Sequence, residues 1–174
     1  HAEGLFVREI DSKLLARLPK NFNSAWALDG LEFRNDHSVT IDRQKIREIA
    51  QFLKVHPTNP FNQLMDLFVL DYLKFPEPRE RFWVVYNLYS TVTHSRLFVR
   101  LALPKDDWRV KSLHDIYHSA NWFEREAWDM FGIEFDQHPA LTRILCHAEF
   151  VGHPLRKDYP SDQYQRLKRP SPSV

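Results

Sequence analysis

A chain of 174 residues carrying 24 Lys and Arg against 23 Asp and Glu has room for one domain with a real core, and its net charge of +1 gives no global reason to bind nucleic acid or an acidic substrate. Its single cysteine, Cys146, excludes an internal disulfide and an iron–sulfur cluster held by the usual four thiolates. No apolar run approaches the roughly 20 residues of a bilayer-spanning helix, and the N-terminus lacks a secretory pattern, so a soluble or peripheral protein is expected.

Residues 11–18 predict a short helix burying Leu14, Leu15 and Leu18 and ended by Pro19. Two strands, 25–28 and 31–34, are expected around an Asp29-Gly30 tight turn, with Val39-Thr40-Ile41 extending the second. Asp42 is placed to cap a helix whose apolar residues Ile46, Ile49, Ala50 and Leu53 fall at i, i+3, i+4 and i+7, ending before His56-Pro57. Segments 64–73, 81–91 and 95–103 have strand composition, and short links make neighbours antiparallel. Ser112 predicts the start of a short helical segment through Tyr117. This order reads as an α+β fold over residues 1–133, a mainly antiparallel sheet with helices packed on one face. Residues 134–174 hold five of the eleven prolines and read as an extended docking arm and tail.

The stretch NWFEREAWDMFGI, residues 121–133, predicts the last helix. Asn121 and Glu124 have capping-box spacing, Phe123, Ala127, Met130 and Phe131 share a core face, Gly132 is placed to end the helix, and Arg125 and Asp129 can pair. Glu124 and Glu126 diverge by about 200° on a helix, which argues against a cooperating carboxylate pair, so no catalytic residue is assigned. Ion pairs from these glutamates to arm residues His138, Arg143, His147, His153, Arg156 and Lys157 are expected instead. A zinc site from His138, Cys146, His147 and His153 is disfavoured, because the close-spaced members are merely adjacent. Arg156 and Lys157 read as a docking clamp, onto the Glu124/Glu126 surface or onto a neighbouring subunit, with Asp158 holding one of them. The tail's Arg166, Lys168 and Arg169 read as a partner-binding or disordered end.

WFEREAWDMFGIEFDQHPALTRIL followed by FVGHPLRKDYP, with MDLFVLDYL and ERFWVVYNLYS ahead of them, resembles the 30-kDa subunit family of respiratory complex I, the NADH:quinone oxidoreductase. The resemblance implies a structural subunit of the peripheral arm, enzymatic only as part of the ion-translocating complex. FMN, iron–sulfur clusters and quinone would be bound by other subunits, with no cofactor in this chain. It further implies docking on the 49-kDa quinone-site subunit, beside other iron–sulfur subunits, with the membrane touched only through the complex. The expected place is the cytoplasmic side of a bacterial inner membrane, or the matrix side of the mitochondrial one. Glu124, Arg125, Glu126, His138, Arg143, His153, Arg156, Lys157 and Asp158 would then form a conformation-holding and docking surface. The alternatives are the equivalent subunit of a ferredoxin-linked plastid or cyanobacterial complex or of an energy-converting hydrogenase, and, in a different class, a stand-alone metal- or carboxylate-dependent enzyme using Glu126 and the arm histidines.

Overall fold

Alternation along the strands sorts the core. In the computed structural model, which describes residues 22, 26–33, 36–76 and 80–165, Phe82, Val84, Tyr86 and Leu88 of β4 (Phe82–Tyr89) and Leu97, Val99, Leu101 and Leu103 of β5 (Arg96–Leu103) are all at most 2% exposed. β3 (Gln63–Asp71) pairs antiparallel with β4, and β4 with β5. β1 (Ala27–Phe33) and β2 (Asp36–Ile41) complete a five-stranded sheet in the order β1-β2-β5-β4-β3, with β2 and β5 parallel and the other junctions antiparallel. The expected α+β class is what the chain adopts.

Asp42 accepts a hydrogen bond from the Gln44 amide (2.9 Å) and starts a 3-10 turn, Arg43–Lys45, that runs into α1 (Ile46–Val55). Ile46, Ile49, Ala50 and Leu53 are buried, as their spacing predicts. Arg47, on the outer side, grips Asp115 with both guanidinium nitrogens (2.8 and 2.6 Å), tying α1 to the segment that follows β6 (Arg109–Lys111). α2 (Ala120–Phe131) packs along β3, and β7 (Glu134–Asp136) then pairs parallel with β6. The stretch expected as an arm from residue 134 thus opens with a paired strand, and residues 137–165, which contain no helix or strand, form the arm. Among the described residues no helix is long and apolar enough to cross a membrane.

Two expectations are corrected here. Asp29-Gly30 is not a turn: β1 runs through it to Phe33, and a register shift between Ala27 and Asp29 absorbs the irregularity. An Asp-Gly pair suits a bulge as well as a hairpin, and Asp29 has a strand-to-strand partner in Arg100 (3.4 Å). Residues 112–117 make a single turn, not a helix: the Ile116 and Tyr117 amides both close on the Leu113 carbonyl (2.9 and 2.7 Å) and the pattern does not propagate, while Ser112 N donates to the Asp136 carbonyl (2.9 Å) and Leu113 N to Glu124 (2.7 Å). The expected helix over 11–18, and the tail from Arg166, lie outside the described residues.

Candidate functional site

An α-helix leaves its last four carbonyls without helical partners. In α2 these belong to Trp128, Asp129, Met130 and Phe131, and each is taken. Gly132 N donates to Trp128 O (2.8 Å), His153 Nδ1–H to Asp129 O (3.0 Å), Leu155 N to Met130 O (3.1 Å) and Arg156 Nε to Phe131 O (2.5 Å). Three of these four donors come from the arm. A guanidinium also suits the negative end of the helix dipole. Arg156 lies over the Trp108 ring (4.8 Å) and the Phe82 ring (5.7 Å), where burial, then the neighbouring Arg81, lowers its proton affinity without discharging an arginine.

Two carboxylates on α2 have no exposed surface, and their surroundings push them in opposite directions. Around Asp129, burial raises the pKa, but the amides of Cys146 and Ile144, the Arg143 guanidinium and the Leu145 amide together outweigh it, and the net shift is downward. One oxygen accepts all three amides (2.9–3.0 Å) and the other takes Arg143 (2.5 Å). Arg143 also reaches the Gly152 carbonyl (3.0 Å), so one ion pair closes two loops of the arm on the helix.

Glu124 has two hydrogen bonds, from Leu113 N (2.7 Å) and the Ser112 hydroxyl (2.5 Å), and no cation of its own among the described residues, since Arg47 is engaged with Asp115. Burial wins, and its pKa rises to about 7. A carboxyl whose folded pKa lies above its unfolded value binds protons on folding. Its contribution is therefore full in acid and declines as pH rises from near 4.5 to about 7. Glu124→Gln keeps the acceptor for Leu113 and removes the titration. Urea unfolding near pH 5 and near pH 8 should show the Gln variant gaining on wild type at the higher pH; an unchanged difference would mean that Glu124 does not titrate in this range.

A second pin lies on the sheet. Asp71 accepts from Arg81 (3.2 Å twice) and from the amides of Lys157 (2.9 Å) and Leu73 (3.0 Å), while Arg81 forks onto Asp158 (3.0 and 2.6 Å). The first turn of the arm is held by His138, whose Nε2–H donates to Asn121 O (3.1 Å) while its Nδ1 accepts from Ala140 N (3.1 Å). That pattern requires the neutral ring, in keeping with a pKa lowered chiefly by burial. Both nitrogens are engaged and unavailable to a metal. Among the described residues no three His, Cys, Asp or Glu side chains gather as metal ligands.

Several expected pairings are thus replaced. Glu124 is not half of a capping box: α2 starts after Ser119 without a side-chain cap, and Glu124 reaches across to the turn after β6. Asp129 pairs with Arg143 rather than Arg125, which donates to the carbonyls of Thr142 (3.1 Å) and Arg143 (3.0 Å). Arg156 caps α2 instead of gripping the Glu124/Glu126 surface, and Asp158 holds Arg81 instead of Arg156 or Lys157. Glu126 is exposed and has no ion pair among the described residues, so neither glutamate anchors the arm. The unforeseen residues are Asp129 as the hub, with Ser112, Asp71 and Arg81. One signal was legible: an aspartate three residues before a helix-ending glycine sits against the dipole and needs a partner of its own.

A family model for the 30 Kd subunit of respiratory-chain NADH dehydrogenase matches residues 39–165. The chain belongs to that family. It is 41% identical over 150 residues to the C subunit of the NADH-quinone oxidoreductase of Geobacter sulfurreducens, covering 86% of this chain and 90% of that protein. Subunit 5 of the Thermus thermophilus oxidoreductase is 43% identical over 137 residues, 75% of this chain and 65% of that one. A solved trypsin-resistant fragment of Nqo5, residues 1–134, superposes with a TM-score of 0.56 at 40% identity, covering 61% of this chain and 83% of the fragment. A chain of an archaeal membrane-bound sulfane sulfur reductase shares the fold alone, at a TM-score of 0.65 and 21% identity over 93% of this chain and 95% of that one. This 30-kDa family member is therefore a subunit of a complex I-type NADH:quinone oxidoreductase, and its setting is a hetero-oligomeric complex.

Proposed function

We propose that the chain is a non-catalytic structural subunit of the peripheral arm of a proton-translocating NADH:quinone oxidoreductase, docking on the 49-kDa quinone-site subunit. FMN, iron–sulfur clusters and quinone belong to other subunits. The protein meets the membrane through the complex, on the cytoplasmic side of a bacterial inner membrane. One observation carries the docking reading: arm polar groups are used to fix the backbone, whereas apolar side chains on that fixed backbone are left outside. Leu145, Val151 and Leu155 are 64%, 71% and 55% exposed. The Leu145 amide is held by Asp129, the Leu155 amide by the Met130 carbonyl, and both backbone groups of Val151 by Gln165 (2.8 and 2.6 Å). Apolar side chains on a pre-ordered backbone lose little further entropy on binding and suit the core of an interface.

The test is affinity capture from detergent-solubilised membranes with tagged wild type and with Leu145→Glu/Leu155→Glu. Wild type should bring down a 49-kDa-type subunit and the variant at least about tenfold less, with the thermal midpoint of the isolated variant unchanged. Failure of wild type to capture that subunit would overturn the reading. Equal capture by both would move the docking surface away from the arm loops.

A further inference from the structure

Arg125 and Asp129 tie α2 to the arm, and the same stripe of the helix carries two side chains that are left exposed. Trp122 is 60% exposed, and Glu126, one turn along, is exposed and unpaired among the described residues. Residues at i and i+4 lie side by side on a helix, about 5–6 Å apart at Cβ. The cations nearest Glu126 in sequence and space send their hydrogen bonds elsewhere. Arg125 stacks on Trp122 (5.3 Å) but sends its hydrogen bonds to the Thr142 and Arg143 carbonyls, and Arg143 is locked on Asp129. Arg125 thus fixes the indole without neutralising the glutamate.

We infer that Trp122 and Glu126 form a receptor for a basic side chain, an arginine, presented by a neighbouring protein subunit of the complex. The chemistry is complementary at both ends. A guanidinium is planar and weakly hydrated, stacks on an indole face, and forks onto a carboxylate. A flat aromatic side chain held by a neighbour loses little entropy on binding, and tryptophan is over-represented among the residues that dominate interface energetics. Rigidity comes from below: α2 is pinned by Glu124 to the turn after β6 and by Asp129 to the arm. This inference rests on the reading of the chain as a docking subunit, but invokes residues other than the exposed leucines of the arm.

The experiment places a photo-crosslinking benzoylphenylalanine at position 122 of the full chain within the assembled complex, and compares wild type, Trp122→Ala and Glu126→Arg for subunit retention at rising salt. The crosslink should fall on a partner peptide containing an arginine. Retention should drop about tenfold in Glu126→Arg and be restored when that partner arginine is changed to glutamate. The isolated variants should unfold at the wild-type temperature, because both side chains lie outside the core. No crosslink to a partner, a crosslinked peptide lacking basic residues, or undiminished retention of both variants would overturn the inference. If Leu145→Glu/Leu155→Glu releases the subunit while the Trp122 and Glu126 variants do not, the docking reading stands and this receptor falls.

Discussion

Asp129→Ala is expected to remove about 3–5 kcal/mol from the unfolding free energy, among the largest effects of any single change in the chain. The substitution deletes few atoms. It leaves Arg143, whose side chain is only 14% exposed, without its counter-charge, and strips the amides of Ile144, Leu145 and Cys146 of their common acceptor. Asp129→Asn should be nearly as severe, since the amide nitrogen would face either Arg143 or a row of N–H donors. Denaturant unfolding measures the loss, and trypsin cleavage at Arg143 reports whether the arm has come away. A drop below about 1 kcal/mol in both variants would show that the hub is dispensable. The acid response has the opposite sign to that of Glu124: the Asp129 pKa is lowered, so its stabilisation is full above the unfolded carboxylate pKa and is lost as pH falls through the folded value.

Gly132→Ala is expected to remove about 2–4 kcal/mol, for two separable reasons. The φ of 74° is a left-handed conformation that a Cβ disfavours, and that Cβ would run into Arg156 Nη2 and stand 2.6 Å from His153 Nε2. Asparagine tolerates the backbone but not the crowding. If Gly132→Asn recovers most of the loss, the dihedral angle dominates; if it is as damaging as alanine, displacement of the two arm donors dominates. Gly152, with φ of 93° and the Tyr159 ring no nearer than 3.0 Å, shares the backbone strain but should lose less on the same change, because its Cβ meets much less severe crowding.

The core was readable because burial follows spacing. Ile46, Ile49, Ala50 and Leu53 fall on one helical stripe, and the strand segments announce themselves by β-branched and aromatic residues. The site was only half readable. Gly132 was legible as a helix stop, since the rule is local, whereas the crowding that demands glycine depends on residues more than twenty positions later. Glu124 and Asp129 were assigned local partners, at i−3 and i−4, because helix rules offer those first. Their actual partners, Leu113 and Ser112 on one side and residues 143–146 on the other, are chosen by how the tertiary fold sets the turn after β6 and the arm beside α2. Local pairs on an exposed helix contribute a few tenths of a kcal/mol, so a buried acceptor facing several amides overrides them. The parallel junction of β2 with β5 was likewise invisible, because nothing in either strand encodes a neighbour more than fifty residues away.

The position of Asp129 in the chain also sets an order of events during synthesis. Its side chain leaves the ribosome before every group that will satisfy it, and the partners follow within about thirty residues, a few seconds of translation at ~5–20 residues per second. Through that interval an ionised carboxylate stands at the negative end of a nascent helix, with the last turn of α2 uncapped. The closing turn of α2 is therefore the last part of the helix to settle. A nascent chain that has emerged as far as Phe131 but not yet as far as Arg143 has a sheet that can already form and an arm that cannot close.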